Sequence, residues 1–295
     1  MIMAETVVYR QAGECSIEGV LHRSPAKQAP LLVFIHGGGL VWGTKDDLHK
    51  EQIKRYTEAG FHVFSVDYRL APETKLPGIR EDIESLIVWL KTEASSMLDF
   101  DPNRVAVVGN SAGGYLALLS GTFEVKPDAI VSFYGYGQVT GDWYKEPSVH
   151  FTAMPTVPEM LANQLVQPSP ISAAPIQTRY AIYLYCRQTG SWLDWVAGKD
   201  LAKDEVALKN FAPVELADAA YPATLLIHGD ADKDVPYSES VGMKAKLDAL
   251  GVCNELLTIR QGQHNFDANM EDPEAIYAVE QTIRFLKDRF EIEES

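Results

Sequence analysis

Ser111 stands in the middle of Gly109-Asn110-Ser111-Ala112-Gly113, directly after the apolar run Val105-Ala106-Val107-Val108 and before Gly114-Tyr115-Leu116-Ala117-Leu118-Leu119. The run reads as a short buried strand and the following segment as the first turns of a helix. The serine therefore falls on a tight strand-to-helix bend, with its hydroxyl presented at the carboxyl end of a parallel sheet. Gly109 and Gly113 supply the small flanking residues that such a bend needs. A serine hydroxyl is a weak nucleophile at neutral pH. It needs a base to take its proton and a third group to orient the base.

Two distant segments carry candidates for those roles. His228-Gly229-Asp230-Ala231-Asp232-Lys233-Asp234-Val235-Pro236 follows the apolar run Thr224-Leu225-Leu226-Ile227. It offers three aspartates, Asp230, Asp232 and Asp234, of which one would accept a hydrogen bond from a histidine and the others would be solvated turn residues. His264, in Gly262-Gln263-His264-Asn265-Phe266, is the only histidine between the final predicted strand and the final predicted helix. Its near-neutral pKa suits a general base that later acts as a general acid. The other six histidines, His22, His36, His49, His62, His150 and His228, read as surface, strand or loop residues.

Attack on a carbonyl also requires donors for the developing oxyanion, and losing one typically costs about 3–4 kcal/mol. The N–H of Ala112, the residue after the serine, points to that place by the geometry of the turn. Further donors are expected from His36-Gly37-Gly38-Gly39, which follows the apolar run Leu31-Leu32-Val33-Phe34-Ile35. Glycines there let the backbone approach a substrate closely. His36 itself reads as a hydrogen-bonded anchor of that loop.

Strand-like runs and helical patterns alternate around these motifs. Residues 5–10 and 15–23 read as an opening antiparallel pair, followed by the strand 31–35, a helix over 48–59 stopped at Gly60, and the strand 62–67. A helix over 79–93 carries Ile83, Leu86, Ile87 and Leu90 on one face. After the serine segment come a strand over 129–133, then strands over 224–227 and 255–259, a helix over 238–250 and a closing helix over 273–290. Repeated β-α-β units predict an α/β protein with a mostly parallel central sheet flanked by helices. Between about 135 and 210 the rhythm breaks. That stretch is long and apolar, with a helix-like run from Thr178 to Val196 rich in Tyr and Trp, and reads as an inserted helical lid. The expected division is a core of 1–134 and 211–295 with an inserted segment 135–210.

With 295 residues, 46% hydrophobic and 23% charged, the composition is that of a globular protein able to bury a large core. A formal net charge of −15 argues against nucleic acid and against an anionic membrane surface as partners. No uncharged apolar stretch approaches the roughly 18 residues of a membrane span. The opening Met1 to Arg10 lacks a basic region followed by a long apolar core, so no secretory leader is expected. Cys15, Cys186 and Cys253 are far apart and form no C-x-x-C pair, so reduced thiols and a cytoplasmic setting are expected rather than a zinc or redox site.

Taken together, His36-Gly37-Gly38-Gly39, Asp67-Tyr68-Arg69-Leu70-Ala71-Pro72-Glu73, Gly109-Asn110-Ser111-Ala112-Gly113-Gly114, the His228 to Asp232 loop and His264 resemble the hormone-sensitive-lipase branch of the α/β-hydrolases, the fold-3 esterases. The resemblance runs from about residue 30 to the C-terminus, apart from the insertion. It implies an α/β-hydrolase fold and a carboxylesterase with Ser111 as nucleophile, Asp232 as acid and His264 as base. It further implies Gly38 and Gly39 as oxyanion donors beside Ala112, and the 67–73 segment as a turn that braces the oxyanion loop.

Three features depart from that branch: the helical cap before the HGGG strand is missing from the 30 residues there, Asn110 stands where Asp is common, and 135–210 matches no pattern of the family. The activity so implied is hydrolysis of small to medium hydrophobic esters through an acyl-enzyme. It needs no metal or cofactor, and the small-molecule ester is the partner. The alternatives are an amide or peptide hydrolase (arylformamidase-like or prolyl-peptidase-like) and a non-catalytic receptor of the gibberellin-receptor kind. Such receptors have lost the histidine that is present here. A homo-oligomer is compatible with the sequence.

Overall fold

The computed structural model describes residues 4–292, so the outermost three residues at each end, which the expected core and leader readings include, lie outside the described residues. Eight strands form one sheet in the order β1-β2-β4-β3-β5-β6-β7-β8. They are β1 (Ala4–Ala12), β2 (Cys15–His22), β3 (Ala29–Ile35), β4 (His62–Val66), β5 (Phe100–Asn110), β6 (Ala129–Phe133), β7 (Ala223–Gly229) and β8 (Asn254–Ile259). The β1–β2 hairpin is antiparallel and joins β4 in an antiparallel pair. All strand pairs from β4 to β8 are parallel. Parallel neighbours need crossovers, and the helices that make them cover both faces.

The continuous apolar strands bury both sides because successive side chains point to opposite faces. Leu31, Val33, Ile35, Val105 and Val107 pack on one side with Ile83, Leu86, Leu116 and Met243 from the helices Leu76–Thr92, Ala112–Ser120 and Ser238–Ala249. Leu32, Phe34, Val63, Ala106, Val108 and Ile227 pack on the other with Ile53 and Tyr56 of Lys50–Glu58 and with Ala275, Val279 and Leu286 of Pro273–Arg289. With the strands held parallel, the carboxyl ends of β3, β5, β7 and β8 open on one rim. The loops after those four ends are the four segments singled out above.

Between β6 and β7 the chain forms short helices, among them Asp142–Lys145, Val149–Thr152 and Glu159–Gln164, and a longer one, Ile176–Thr189. The helix expected as one run from Thr178 to Val196 is two, Ile176–Thr189 and Trp192–Ala197. Gly190 separates them at φ +70°, a left-handed conformation that ends the first helix. A Cβ there would lie 2.4 Å from the Lys145 carbonyl oxygen, so no side chain fits at the break.

Candidate active site

β5 runs into the helix Ala112–Ser120 with only Ser111 between, at φ 54° and ψ −119°. This strained conformation is held from both sides. The Ser111 N–H donates to the Phe133 carbonyl at 2.9 Å, and the Ser111 carbonyl accepts the Tyr115 N–H at 3.0 Å. The glycines are required by contact as well as by the turn. A Cβ on Gly109 would sit 2.2 Å from the Gly113 oxygen, and one on Gly113 would sit 2.0 Å from the Ile35 oxygen.

The three chemically distinct side chains meet at this rim. His264 Nε2 lies 3.0 Å from Ser111 Oγ, and His264 Nδ1 lies 2.7 Å from Asp232 Oδ2. A carboxylate can only accept, so Nδ1 carries the proton and Nε2 is free to accept the serine hydroxyl. Of the three candidate aspartates, Asp232 is the one that bonds to His264 Nδ1. Asp230 instead accepts the Gln261 N–H at 2.6 Å. Asp234 sits at the cavity wall, 3.8 Å from His264 Nε2.

Asp232 is fully buried, and burial alone would push its carboxyl up. The nearby His228 Nε2–H, the hydrogen bond and charge of His264 and the Asp234 N–H outweigh this and hold it well below the usual carboxylate range. Its Oδ1 accepts the N–H groups of Asp234 at 2.8 Å and Val235 at 3.0 Å. Burial works to lower the His264 imidazole. The Asp232 bond and the charges of Asp234, Asp232 and Asp267 reverse that and raise it above its ordinary value.

The loop after β3 turns on three successive glycines. Gly38 has φ +91° and Gly39 φ +58°. A Cβ on Gly38 would meet the Trp42 oxygen at 2.1 Å, and one on Gly39 the Tyr183 ring at 2.5 Å. The carbonyls of this loop are each occupied: Tyr68 Oη donates to Gly37 O at 3.0 Å and to His36 O at 3.1 Å. Gly38 O accepts the N–H groups of Val41 at 2.9 Å and Trp42 at 3.1 Å. In a trans peptide the N–H points opposite the carbonyl of the same plane. Fixing Gly37 O and Gly38 O therefore aims the N–H groups of Gly38 and Gly39 the other way, and among the described residues neither bonds to a protein acceptor. Ala112 opens its helix, where the first N–H groups have no intrahelical partner.

The 67–73 segment ties this loop down. Asp67 Oδ1 accepts the Lys45 N–H at 2.6 Å, the Ala71 N–H donates to Leu40 O at 2.8 Å, and the Tyr68 ring stacks on His36 with centroids 4.4 Å apart. Burial drives the His36 imidazole down to about 4, so it is neutral at physiological pH.

Several residues of the site carried no sequence signal. Tyr134, at φ 36° just past β6, lays its ring 4.7 Å from the His264 ring and hydrogen-bonds to buried Asp267. His228, read as an unremarkable loop residue, donates from Nε2 to Val235 O at 3.1 Å and lies 3.4 Å from Asp232 Oδ2. Only its four-residue spacing to Asp232 could have pointed to it. Ser111, His264, Gly38 and Gly39 share a cavity of about 420 Å³ with Trp42, Phe151, Met154, Ile176, Tyr180 and Tyr183.

Among the described residues, no group of three or more His, Cys, Asp or Glu side chains could hold a metal ion, and no helix is long and apolar enough to cross a membrane. The three cysteines are unpaired.

A parallel sheet with the serine turn after β5 and the acid and histidine loops after β7 and β8 defines an α/β-hydrolase fold, and solved structures share it. An alpha/beta hydrolase superfamily protein from Enterococcus faecalis superposes with a TM-score of 0.78 at 23% identity, over 98% of this chain and 99% of that one. EstE1, a thermophilic carboxylesterase cloned from a metagenomic library, gives 0.73 at 23% identity over 98% and 90%. Esterase LipW from Mycobacterium marinum gives 0.71 at 22% over 98% and 82%.

The BD-FAE family model matches residues 20–247, and the chain belongs to that family. Among curated proteins it is similar to non-reducing polyketide synthase ausA of Emericella nidulans, 29% identical over 83% of the chain. It is also similar to non-reducing polyketide synthase adrD of Penicillium rubens, 27% identical over 96%. The chain spans only 12% and 14% of the lengths of these two relatives.

Proposed function

We propose that the chain is a serine hydrolase that cleaves carboxylic esters of small to medium hydrophobic substrates through an acyl-enzyme, in the manner of the hormone-sensitive-lipase branch. The observation that carries the reading is the unbroken relay from Ser111 Oγ through His264 to Asp232, with separations of 3.0 and 2.7 Å, opening into a cavity.

His264 Nε2 takes the hydroxyl proton as Ser111 Oγ attacks the ester carbonyl. Asp232 fixes the tautomer and stabilises the imidazolium. The N–H groups of Gly38, Gly39 and Ala112 receive the oxyanion. The imidazolium then protonates the leaving alkoxide, and His264 activates a water that releases the acid. Each step uses protein groups and water. Residues 135–210 form an inserted segment whose Phe151, Met154, Ile176, Tyr180 and Tyr183 wall the cavity and favour modest apolar groups over long chains.

The test is release of p-nitrophenol from acetyl and butyryl esters, with and without a serine-directed organophosphonate, in the whole chain and in Ser111→Ala. The expected result is turnover that the reagent abolishes with one adduct on Ser111, and none in the variant. No turnover and no adduct overturns the hydrolase reading.

A further inference from the structure

The rim holds a second carboxylate that the relay does not use. Asp234 Oδ2 lies 3.8 Å from His264 Nε2, on the side facing the cavity rather than on the Nδ1 side held by Asp232. The residue is not loose. Its Oδ1 accepts the Tyr183 hydroxyl at 2.6 Å, and its backbone carbonyl accepts Arg187 Nη2 at 3.0 Å. Both partners come from the helix Ile176–Thr189 of the inserted segment. Arg187 is itself buried, donates to the Trp143 carbonyl at 2.8 Å, and lies over the rings of Trp143, Tyr144, Phe151 and Tyr183.

The same helix touches the oxyanion loop. The Tyr183 ring lies where a Cβ on Gly39 would be, and Arg179 Nε donates to the Val41 carbonyl at 2.5 Å. One insert helix thus sets the place of a charge next to the atom that gains a proton in the transition state.

We propose that Asp234 is a positioning residue for the reaction: a second carboxylate, clamped by Tyr183 and Arg187, that stabilises the His264 imidazolium at its Nε2 edge. The proton bookkeeping is unchanged. Ser111 still gives its proton to Nε2 and Asp232 still holds Nδ1, while Asp234 takes no part in the transfer. Its contribution is the field it exerts on the cation that forms, less the part offset by the Arg187 guanidinium 3.5 Å from its Oδ1. His264 also faces Asp232 from the same loop, Asp267 from its own loop and Tyr134 from the end of β6, so those charges form the background. Asp234 in turn faces Tyr183, Arg187 and, at longer range, Tyr144 and Tyr180 of the insert, with Lys233 beside it in the chain.

The proposal rests on His264 being the base, so the test has one arm that needs no turnover. In the whole chain carrying Ser111→Ala, the His264 ring is titrated by NMR with and without Asp234→Asn. The expected midpoint falls by about half a pH unit or more in the variant, since a nearby anion has been removed. Tyr183→Phe keeps the charge and should leave the midpoint at or above that of the parent. In the Ser111 protein, Asp234→Asn should lower kcat about threefold or more, the rate equivalent of that midpoint shift, change KM less than twofold and move the acid limb of the kcat/KM profile in the same direction as the NMR midpoint.

A midpoint that stays put or rises in Asp234→Asn overturns the proposal, even if stability falls. Asp234→Ser serves if the asparagine variant does not fold. A parent midpoint below the ordinary histidine value overturns it without any variant at position 234. If the midpoint shifts but no ester is turned over, the hydrolase reading fails and the charge pairing stands.

Discussion

Tyr68 contributes a single hydroxyl to the site, and Tyr68→Phe isolates it. The phenol is fully buried and its oxygen bonds to two carbonyls, Gly37 O at 3.0 Å and His36 O at 3.1 Å. Phenylalanine preserves the ring, its stacking on His36 and the packed volume, so the change removes the donor and little else. The one hydroxyl proton is shared between the two carbonyls, and Gly37 O keeps the His36 Nδ1 donor at 3.0 Å, so stability should fall by about 1–3 kcal/mol.

Catalysis should fall for a separate reason. The Gly37 carbonyl sets the peptide plane whose other end is the Gly38 N–H. Complete loss of one oxyanion donor costs about 3–4 kcal/mol, and a donor whose peptide plane keeps only the His36 Nδ1 bond at Gly37 O should cost about a third to half of that, a decrease of roughly tenfold in kcat. The ground-state ester gains little from the donor, so KM should change by less than about twofold. Steady-state hydrolysis of p-nitrophenyl butyrate separates kcat from KM, and thermal unfolding measures stability. Should melting drop while kcat stays at the parent value, the hydroxyl only supports folding, and the proposed control of the Gly38 N–H is wrong.

Ser111→Ala and His264→Ala should each abolish p-nitrophenyl ester turnover while circular dichroism remains that of the parent; near-normal rates in His264→Ala would mean another base operates. Because the proposed hydrolysis needs the neutral imidazole and His264 is raised above its ordinary value, kcat/KM should decline on the acid side at a pH above that of a free histidine, and a limb at or below that value contradicts the assignment. His36 is depressed to about 4 from 6.5, so the unfolded chain binds its proton first and stability should fall by up to about 3 kcal/mol as pH drops from 6.5 to 4. Denaturant melts of His36→Gln across that window should show a flatter slope than the parent. Gly39→Ala should weaken both folding and turnover, because φ +58° strains an alanine and its Cβ would lie 2.5 Å from the Tyr183 ring. A fully active Gly39→Ala would show that the ring moves aside freely.

Much of this molecule is local in origin, and that part was legible in the chain. Glycines at 109 and 113 frame Ser111 because a strand-to-helix bend has no room for side chains, and the contacts of 2.2 and 2.0 Å bear out that steric reason. The rhythm of apolar runs and helical faces gave the parallel sheet because each run follows from period alone. The expected single helix from 178 to 196 fails at Gly190. The apolar pattern continues across the break, while Gly190 ends the helix in a left-handed cap, and the Lys145 carbonyl, far away in sequence, leaves no room for a side chain there.

Choosing among Asp230, Asp232 and Asp234 was likewise beyond period and spacing. All three lie in one loop, and only the folded loop decides which oxygen faces His264 Nδ1. The chain by itself determined which chemistry was available: a serine on a sharp bend, an acid loop, a histidine loop and a glycine turn, each written in a few consecutive residues. Tertiary structure alone decided their distances, the burial that depresses Asp232 and raises His264, and the recruitment of Tyr68, Tyr134, His228 and Tyr183. Those depend on contacts between segments far apart in the chain, and the electrostatic strength of a contact depends on how much water the surrounding fold excludes.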